Sequence, residues 1–269
     1  MRFLARAAIL LALVYCMVLV GLTVMQRSFI FPADDGRGLA AINWQAITGV
    51  DRFFVTTTDG ETLSAWYKPP RGDKPTFLFF HGNGGRLDLM KWRFNRILDK
   101  GYGLMTVSYR GYAGSTGSPS EAGLIEDGRT AWTWLREKEA PENIIIHGLS
   151  MGSGVATALA GEVDALAVIL EAPFTAVEDV AAGNFPYMPV RWLVWDKFRS
   201  IDRIGQVTEP LLIAHGTRDS VIPYAHGRKL YEAANEPKTF ISMTDGDHST
   251  LVRDGLYEKI WDWLETPER

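Results

Sequence analysis

Residues 143–154 read Asn143-Ile144-Ile145-Ile146-His147-Gly148-Leu149-Ser150-Met151-Gly152-Ser153-Gly154. The run of β-branched isoleucines is too short for a helix and suits a buried strand. Gly148 to Gly152 then fits the pattern G-x-S-x-G, and the alanine-rich run from Val155 to Gly161 is helix-prone. Strand, tight turn and helix in this order form the context in which that pattern carries chemistry. A turn this sharp strains the backbone of Ser150 and lifts its hydroxyl above the sheet edge. Glycines on either side keep side chains out of the crowded space where strand and helix meet. Ser150 also stands at a helix N-terminus, where free N–H groups favour developing negative charge. The competing reading of Ser150 is a plain helix N-cap. The rest of the chain must therefore supply a base, an acid and donors for an anion.

Outward from this turn, apolar strands alternate with helices. On the N-terminal side, Phe53–Thr57 and Thr62–Tyr67 read as strands around the Asp59-Gly60 turn. Thr76–Phe80 is a continuous apolar strand, Leu87–Leu98 has helical spacing, Leu104–Val107 is a strand and Glu121–Arg136 a helix with Ser120 as its cap. On the C-terminal side, Ala165–Leu170, Leu211–Ala214 and Lys238–Met243 read as strands, and Tyr224–Ala234 and Leu251–Leu264 as helices. Such alternation implies an α/β fold with a mostly parallel sheet and helices on both faces. Ligands bind such sheets at the carboxyl ends of the strands, so the informative residues should lie just after strands.

A serine hydroxyl needs a base within hydrogen-bond reach, and the base needs an orienting carboxylate. His81 and His215 each end a strand beside a glycine and are expected to hold loops; His147 lies inside its strand and His226 on a helix. His248 differs, because it sits in the loop between the last strand and the last helix. It is the candidate base. Asp219, after the Leu211–Ala214 strand, is the candidate acid, against the alternative of a turn-forming aspartate. Asp245 and Asp247 are too near His248 in sequence to orient it and read as loop formers. An oxyanion would be bound by the Met151 N–H, just after the nucleophile, and by the Asn83 N–H in the glycine-rich loop after Thr76–Phe80.

With these residues in hand, the chain resembles the α/β-hydrolase superfamily, and within it the membrane-anchored group related to serine aminopeptidases and yeast Bem46-type proteins. The matching stretches are His81-Gly82-Asn83-Gly84-Gly85, Tyr109 to Ser115, Gly148 to Gly152, His215 to Asp219 and Asp247-His248. Gly84 departs from the alanine common in such sequences. The resemblance implies an α/β-hydrolase fold, a Ser150–Asp219–His248 triad and no cofactor. It implies substrate poorly, because the superfamily hosts esterases, thioesterases, lipases and peptidases. The expected activity is hydrolysis of a carboxylic ester, a thioester or a lipid ester through an acyl-enzyme. The alternatives are an aminopeptidase-type peptidase on the same residues, and an anchored scaffold without chemistry. Residues 174–206, where this fold inserts its lid, are rich in aromatics; they are expected to form a short lid, by ordinary packing of a short helix pair over the sheet, with an apolar acyl pocket beside Ser150 as the sharper alternative.

Composition narrows the setting. A hydrophobic share of 46% fills a substantial core, while a net charge of −4 without a basic stripe excludes a nucleic-acid partner. The lone cysteine, Cys16, rules out an intrachain disulfide, and C-x-x-C pairs that would suggest structural zinc are absent. Ala7–Met25 carries no charge and, at about 1.5 Å per residue, spans roughly the 30 Å of a bilayer core. It lacks a small-x-small cleavage site, so it reads as an uncleaved transmembrane anchor rather than a signal peptide. The chain is thus expected to divide into an anchor over 1–27 and a hydrolase domain over 28–269. Arg2 and Arg6 before the span outweigh Arg27 after it, which favours an extracytoplasmic domain. An apolar Phe29-Ile30-Phe31-Pro32 follows the span, and a polar turn is expected at Asp34–Gly38.

Overall fold

The computed structural model describes residues 2–32, 47 and 49–266. The turn expected at Asp34–Gly38 lies outside them. Helix α1 (Arg2–Ile30) leads into strands β1 (Asp51–Thr56), β2 (Thr62–Lys68) and β3 (Thr76–Phe80). Then come α2 (Lys91–Asp99), β4 (Gly103–Val107), α3 (Glu121–Arg136), β5 (Ile144–Leu149), α4 (Met151–Ala160) and β6 (Ala167–Glu171). Three short helices, α5 (Val177–Asn184), α6 (Val190–Leu193) and α7 (Ser200–Arg203), precede β7 (Leu211–Gly216), α8 (Ala225–Ala233), β8 (Lys238–Met243) and α9 (Leu256–Leu264).

The strands form one sheet in the order β1-β2-β4-β3-β5-β6-β7-β8. β1 and β2 run antiparallel to their neighbours, and β3 to β8 are parallel. The chain moves from β3 outward to β4 and then crosses to β5 on the other side of β3. The crevice at this reversal, at the carboxyl ends of β3 and β5, is where open α/β sheets bind ligands.

Strand pleating sorts the core into two layers. Leu78 and Phe80 of β3, with Ile144 and Ile146 of β5, join α3, α4 and α8 on one face. Phe77 and Phe79, with Ile145, join α2 and α9 on the other. All of β3 is fully buried, and each such phenylalanine contributes about 1.5–3 kcal/mol by leaving water. Three expected helix starts shift. α2 begins at Lys91 rather than Leu87, because Leu87–Met90 is a 3-10 turn. α4 begins at Met151 rather than Val155, so the turn itself is the helix N-terminus. α9 begins at Leu256 rather than Leu251, because Leu251–Gly255 are turns ending at Gly255 with φ 92°. α1 is long and apolar enough to cross a membrane. Its last residues dock on the domain, where Gln26 is buried and Arg27 pairs with Asp196 at 2.7 Å.

A buried ion pair braces the sheet beneath the site. Arg93 of α2 donates to both carboxylate oxygens of Glu171, at 2.5 and 3.1 Å. Burial pushes the Glu171 carboxyl up, but Arg93 and His147 outweigh it and hold the group at about 2. A folded pKa below the ordinary carboxylate value means stability that is present above about pH 4.5 and lost as pH falls towards 2. Arg93→Met strands a buried carboxylate and is expected to cost about 3–5 kcal/mol near neutral pH. Thermal unfolding of parent and variant against pH should show the gap narrowing in acid, where the stranded Glu171 takes up a proton. An unchanged gap would locate the loss in packing instead.

Candidate active site

Ser150 joins β5 directly to α4 with φ 51° and ψ −118°, a conformation rarely open to a side-chain-bearing residue. Its N–H donates to the Glu171 carbonyl at 2.9 Å, and its carbonyl accepts from the Ser153 N–H at 2.8 Å. Close packing forces glycine beside it. A Cβ on Gly152 would overlap the carbonyl oxygens of Phe80 and His81, and one on Gly148 would overlap the Gly152 carbonyl. Ser150 accepts no capping role: no side-chain cap bond is made at the start of α4.

The structure brings the three residues singled out by sequence into one chain of hydrogen bonds. His248 Nε2 lies 3.0 Å from Ser150 Oγ, and His248 Nδ1 lies 2.8 Å from Asp219 Oδ2. Asp219 Oδ1 accepts from the N–H groups of Val221 and Ile222 at 2.9 and 2.7 Å. Burial pushes the Asp219 carboxyl up, but hydrogen bonds from His215, His248 and the Ile222 N–H outweigh it and hold it well below the ordinary carboxylate range. An ionised Asp219 assigns the proton of His248 to Nδ1 and leaves Nε2 as an acceptor facing the serine hydroxyl.

The remaining histidines are spoken for by structure. His81 is fully buried, its Nδ1 sits 2.8 Å from the Gly82 carbonyl, and burial pushes its pKa down to about 4. His147 is buried in the core, where burial lowers its pKa. His226 meets the Thr175 hydroxyl at 2.8 Å. His215 does more than hold a loop. Its Nε2 contacts the Ile222 carbonyl at 2.8 Å and Asp219 Oδ2 at 3.3 Å, so it sets the carboxylate in place. The two loop aspartates behave as loop formers. Asp247 Oδ1 accepts from the Ser220 N–H and hydroxyl, both at 2.8 Å, and Asp245 has φ 57°.

Met151 N–H is the first of α4, a position no helical carbonyl reaches. The Asn83 side chain is tied off: its Oδ1 accepts from the Tyr112 hydroxyl and the Gly84 N–H, each at 3.0 Å. Both lie at the sheet edge with Ser150, and Asn83 lines the same cavity as Ser150 and His248. That cavity measures about 350 Å³. Its other walls are Gly82, Met90, Trp92, Arg93, Leu149, Val221 and Ser249. The aromatics of residues 174–206 are not among them, so the structure agrees with ordinary packing of this segment and not with an acyl pocket built from it. Phe174 and Phe198 pack under α4 against Gly154, and Phe185 and Met188 face α1. Among the described residues, no group of three or more His, Cys, Asp or Glu side chains is arranged to hold a metal ion.

An alpha/beta hydrolase domain model matches residues 73–258. Alpha/beta hydrolase domain-containing protein 17B of Homo sapiens is 32% identical over 212 residues, covering 77% of this chain and 72% of that protein. Lysophosphatidylserine lipase ABHD12 of Danio rerio is 28% identical over 236 residues, covering 72% of this chain and 61% of that protein. The esterase Pf2001 of Pyrococcus furiosus has the same fold, with a TM-score of 0.67 at 22% identity over 85% of this chain and 96% of its own.

The backbone of Ser150 generates a stability test. A non-glycine residue in such a conformation stores on the order of 1–3 kcal/mol. Ser150→Gly removes that strain and gives back about 0.5–1 kcal/mol in unfolded-state entropy. Urea unfolding is therefore expected to show Ser150→Gly more stable than the parent and than Ser150→Ala. A variant no more stable than the parent would mean the turn is unstrained.

Proposed function

The chain belongs to the alpha/beta hydrolase family, and from that premise we propose that it is a serine hydrolase cleaving carboxylic esters through an acyl-enzyme on Ser150. The observation that carries the reading is the continuous Ser150–His248–Asp219 hydrogen-bond chain, with spacings of 3.0 and 2.8 Å. In this mechanism Ser150 Oγ attacks the carbonyl carbon while His248 Nε2 takes its proton. Asp219 holds the imidazole and stabilises the imidazolium that forms. The Met151 and Asn83 N–H groups receive the oxyanion, a donor pair of which each member is typically worth about 2.7–4 kcal/mol in the transition state. His248 then returns the proton to the leaving oxygen. Water repeats the sequence on the acyl-enzyme and frees Ser150.

The substrate is an ester, a thioester or a lipid ester. The apolar rim of Met90, Trp92, Leu149 and Val221 supports an acyl group at the mouth. The lipase and esterase names carried by relatives point the same way. α1 anchors the domain to a membrane as a single span, and the excess of Arg2 and Arg6 over Arg27 favours a domain outside the cytoplasm. In this reading the domain runs from residue 28 onward, with 174–206 as a short lid.

Fluorophosphonate labelling of the purified chain tests the nucleophile. The parent is expected to label and Ser150→Ala to remain blank. With p-nitrophenyl esters, Ser150→Ala and His248→Ala should each lower kcat by about a million-fold, and Asp219→Asn by about ten-thousand-fold. A series from acetyl to hexanoyl esters, beside an aminoacyl anilide, then separates small esters, lipid-like esters and peptides. A folded parent that takes no label sinks the hydrolase reading and favours the scaffold.

A further inference from the structure

Away from Ser150, the structure holds a second cavity of about 250 Å³ between α1 and the α5–α6 turn. Its wall is apolar and includes Leu22, Phe29, Val177, Phe185, Met188 and Val194. Two polar side chains reach it, and both are already committed. The Thr23 hydroxyl donates to the Leu19 carbonyl at 2.8 Å. Gln26 Nε2 donates to the carbonyls of Thr23 and Leu193 at 2.7 and 3.0 Å, and its Oε1 accepts from the Trp195 N–H at 2.8 Å. An apolar cavity without free polar partners stays dry and takes up hydrocarbon.

The surroundings say which hydrocarbon. Half of the wall is α1, the helix fit to cross a membrane. The Tyr15 hydroxyl donates to the Tyr187 carbonyl at 2.8 Å, which draws the turn alongside the middle of α1. That point is roughly 22 Å of helix above Ile30. From Phe185 to Trp195 the chain is apolar except for Arg191, and Arg191 pairs with Asp179. Tyr187 and Trp192 are 90% and 88% exposed. A continuous exposed apolar patch marks an interaction site, and one held alongside the middle of a membrane-spanning helix faces lipid tails.

We propose that the cavity between α1 and the α5–α6 turn binds one acyl chain of a membrane phospholipid, entered from the bilayer beside Tyr187 and Trp192. The proposal rests on reading α1 as a membrane anchor. It does not depend on hydrolysis, because the walls of the Ser150 cavity are a different set of residues.

The test uses the full chain in nanodiscs of phosphatidylcholine carrying a diazirine on one acyl chain. After photolysis, mass spectrometry maps the adducts. They are expected within 177–194, and also at Leu10 and Leu13 on the exposed surface of α1. Ala181→Phe and, independently, Leu22→Trp fill the cavity. In each, adducts at the cavity residues Val177, Leu193 and Val194 should fall to background while those at Leu10, Leu13 and the exposed Tyr187 and Trp192 persist. Adducts at these exposed residues alone in the parent overturn the site but leave the anchor standing; a second copy covering this face leaves Tyr187 and Trp192 blank as well. Adducts at Val177, Leu193 and Val194 that survive both variants mean lipid reaches them without the cavity, which also overturns the site. Adducts nowhere on α1 overturn the anchor reading itself, and the proposal with it.

Discussion

The backbone of Ser150, held at φ 51° and ψ −118°, is the constraint on which the site depends. Left to itself a serine would relax from that conformation. Three neighbours prevent it. β5 is clamped between β3 and β6. The Ser150 N–H is bonded to the Glu171 carbonyl, and α4 is pressed so closely on β3 that only glycine fits at 152. Glu171 therefore serves twice: its carbonyl holds the elbow, and its side chain ties β6 to α2 through Arg93. The strain at the serine and the charge buried below it form one mechanical unit.

Sequence reading is strongest where the information is local. Ser150, Asp219 and His248 each follow a strand, and a parallel sheet gathers the ends of its strands at one edge. Residues far apart in the chain then meet without any need to foresee side-chain contacts. The shape of the mouth was not legible in the same way. Met90, Trp92 and Arg93 belong to a segment whose helical spacing announces only that one side is buried. That Arg93 meets Glu171 across the sheet is a tertiary fact with no local signature. His215 likewise looked like a loop residue because its contact with Asp219 depends on the turn between them. The aromatics of 174–206 signalled burial against something, and composition alone does not name the neighbour. They meet α4 and α1, not Ser150.

The N-terminal helix is joined to the domain more firmly than a flexible stalk would be. Phe31 packs edge-on against Phe198, with ring centroids 6.2 Å apart. Asp196 accepts from Arg27 and also from the Glu121 N–H at the start of α3. Beyond α1, the Pro32 carbonyl comes within 4.0 Å of where a Cβ on Gly84 would stand, in the loop that supplies Asn83. The end of α1 and the residues just after it thus meet both segment 174–206 and the loop after β3.

The Gln26 amide gives this junction its character. By donating to Leu193 and accepting from Trp195 it copies one rung of a β-ladder with a side chain. Such a rung resists both swivel and pull, so the domain is mounted on α1 rather than tethered to it. For a helix held in a bilayer, a rigid mount fixes the compass bearing of the Ser150 mouth and its height over the lipid headgroups. On the proposed reading of α1 as an anchor and of a lipid ester as substrate, encounter becomes a search over a surface, governed by lateral diffusion and by molecules per unit area rather than per unit volume.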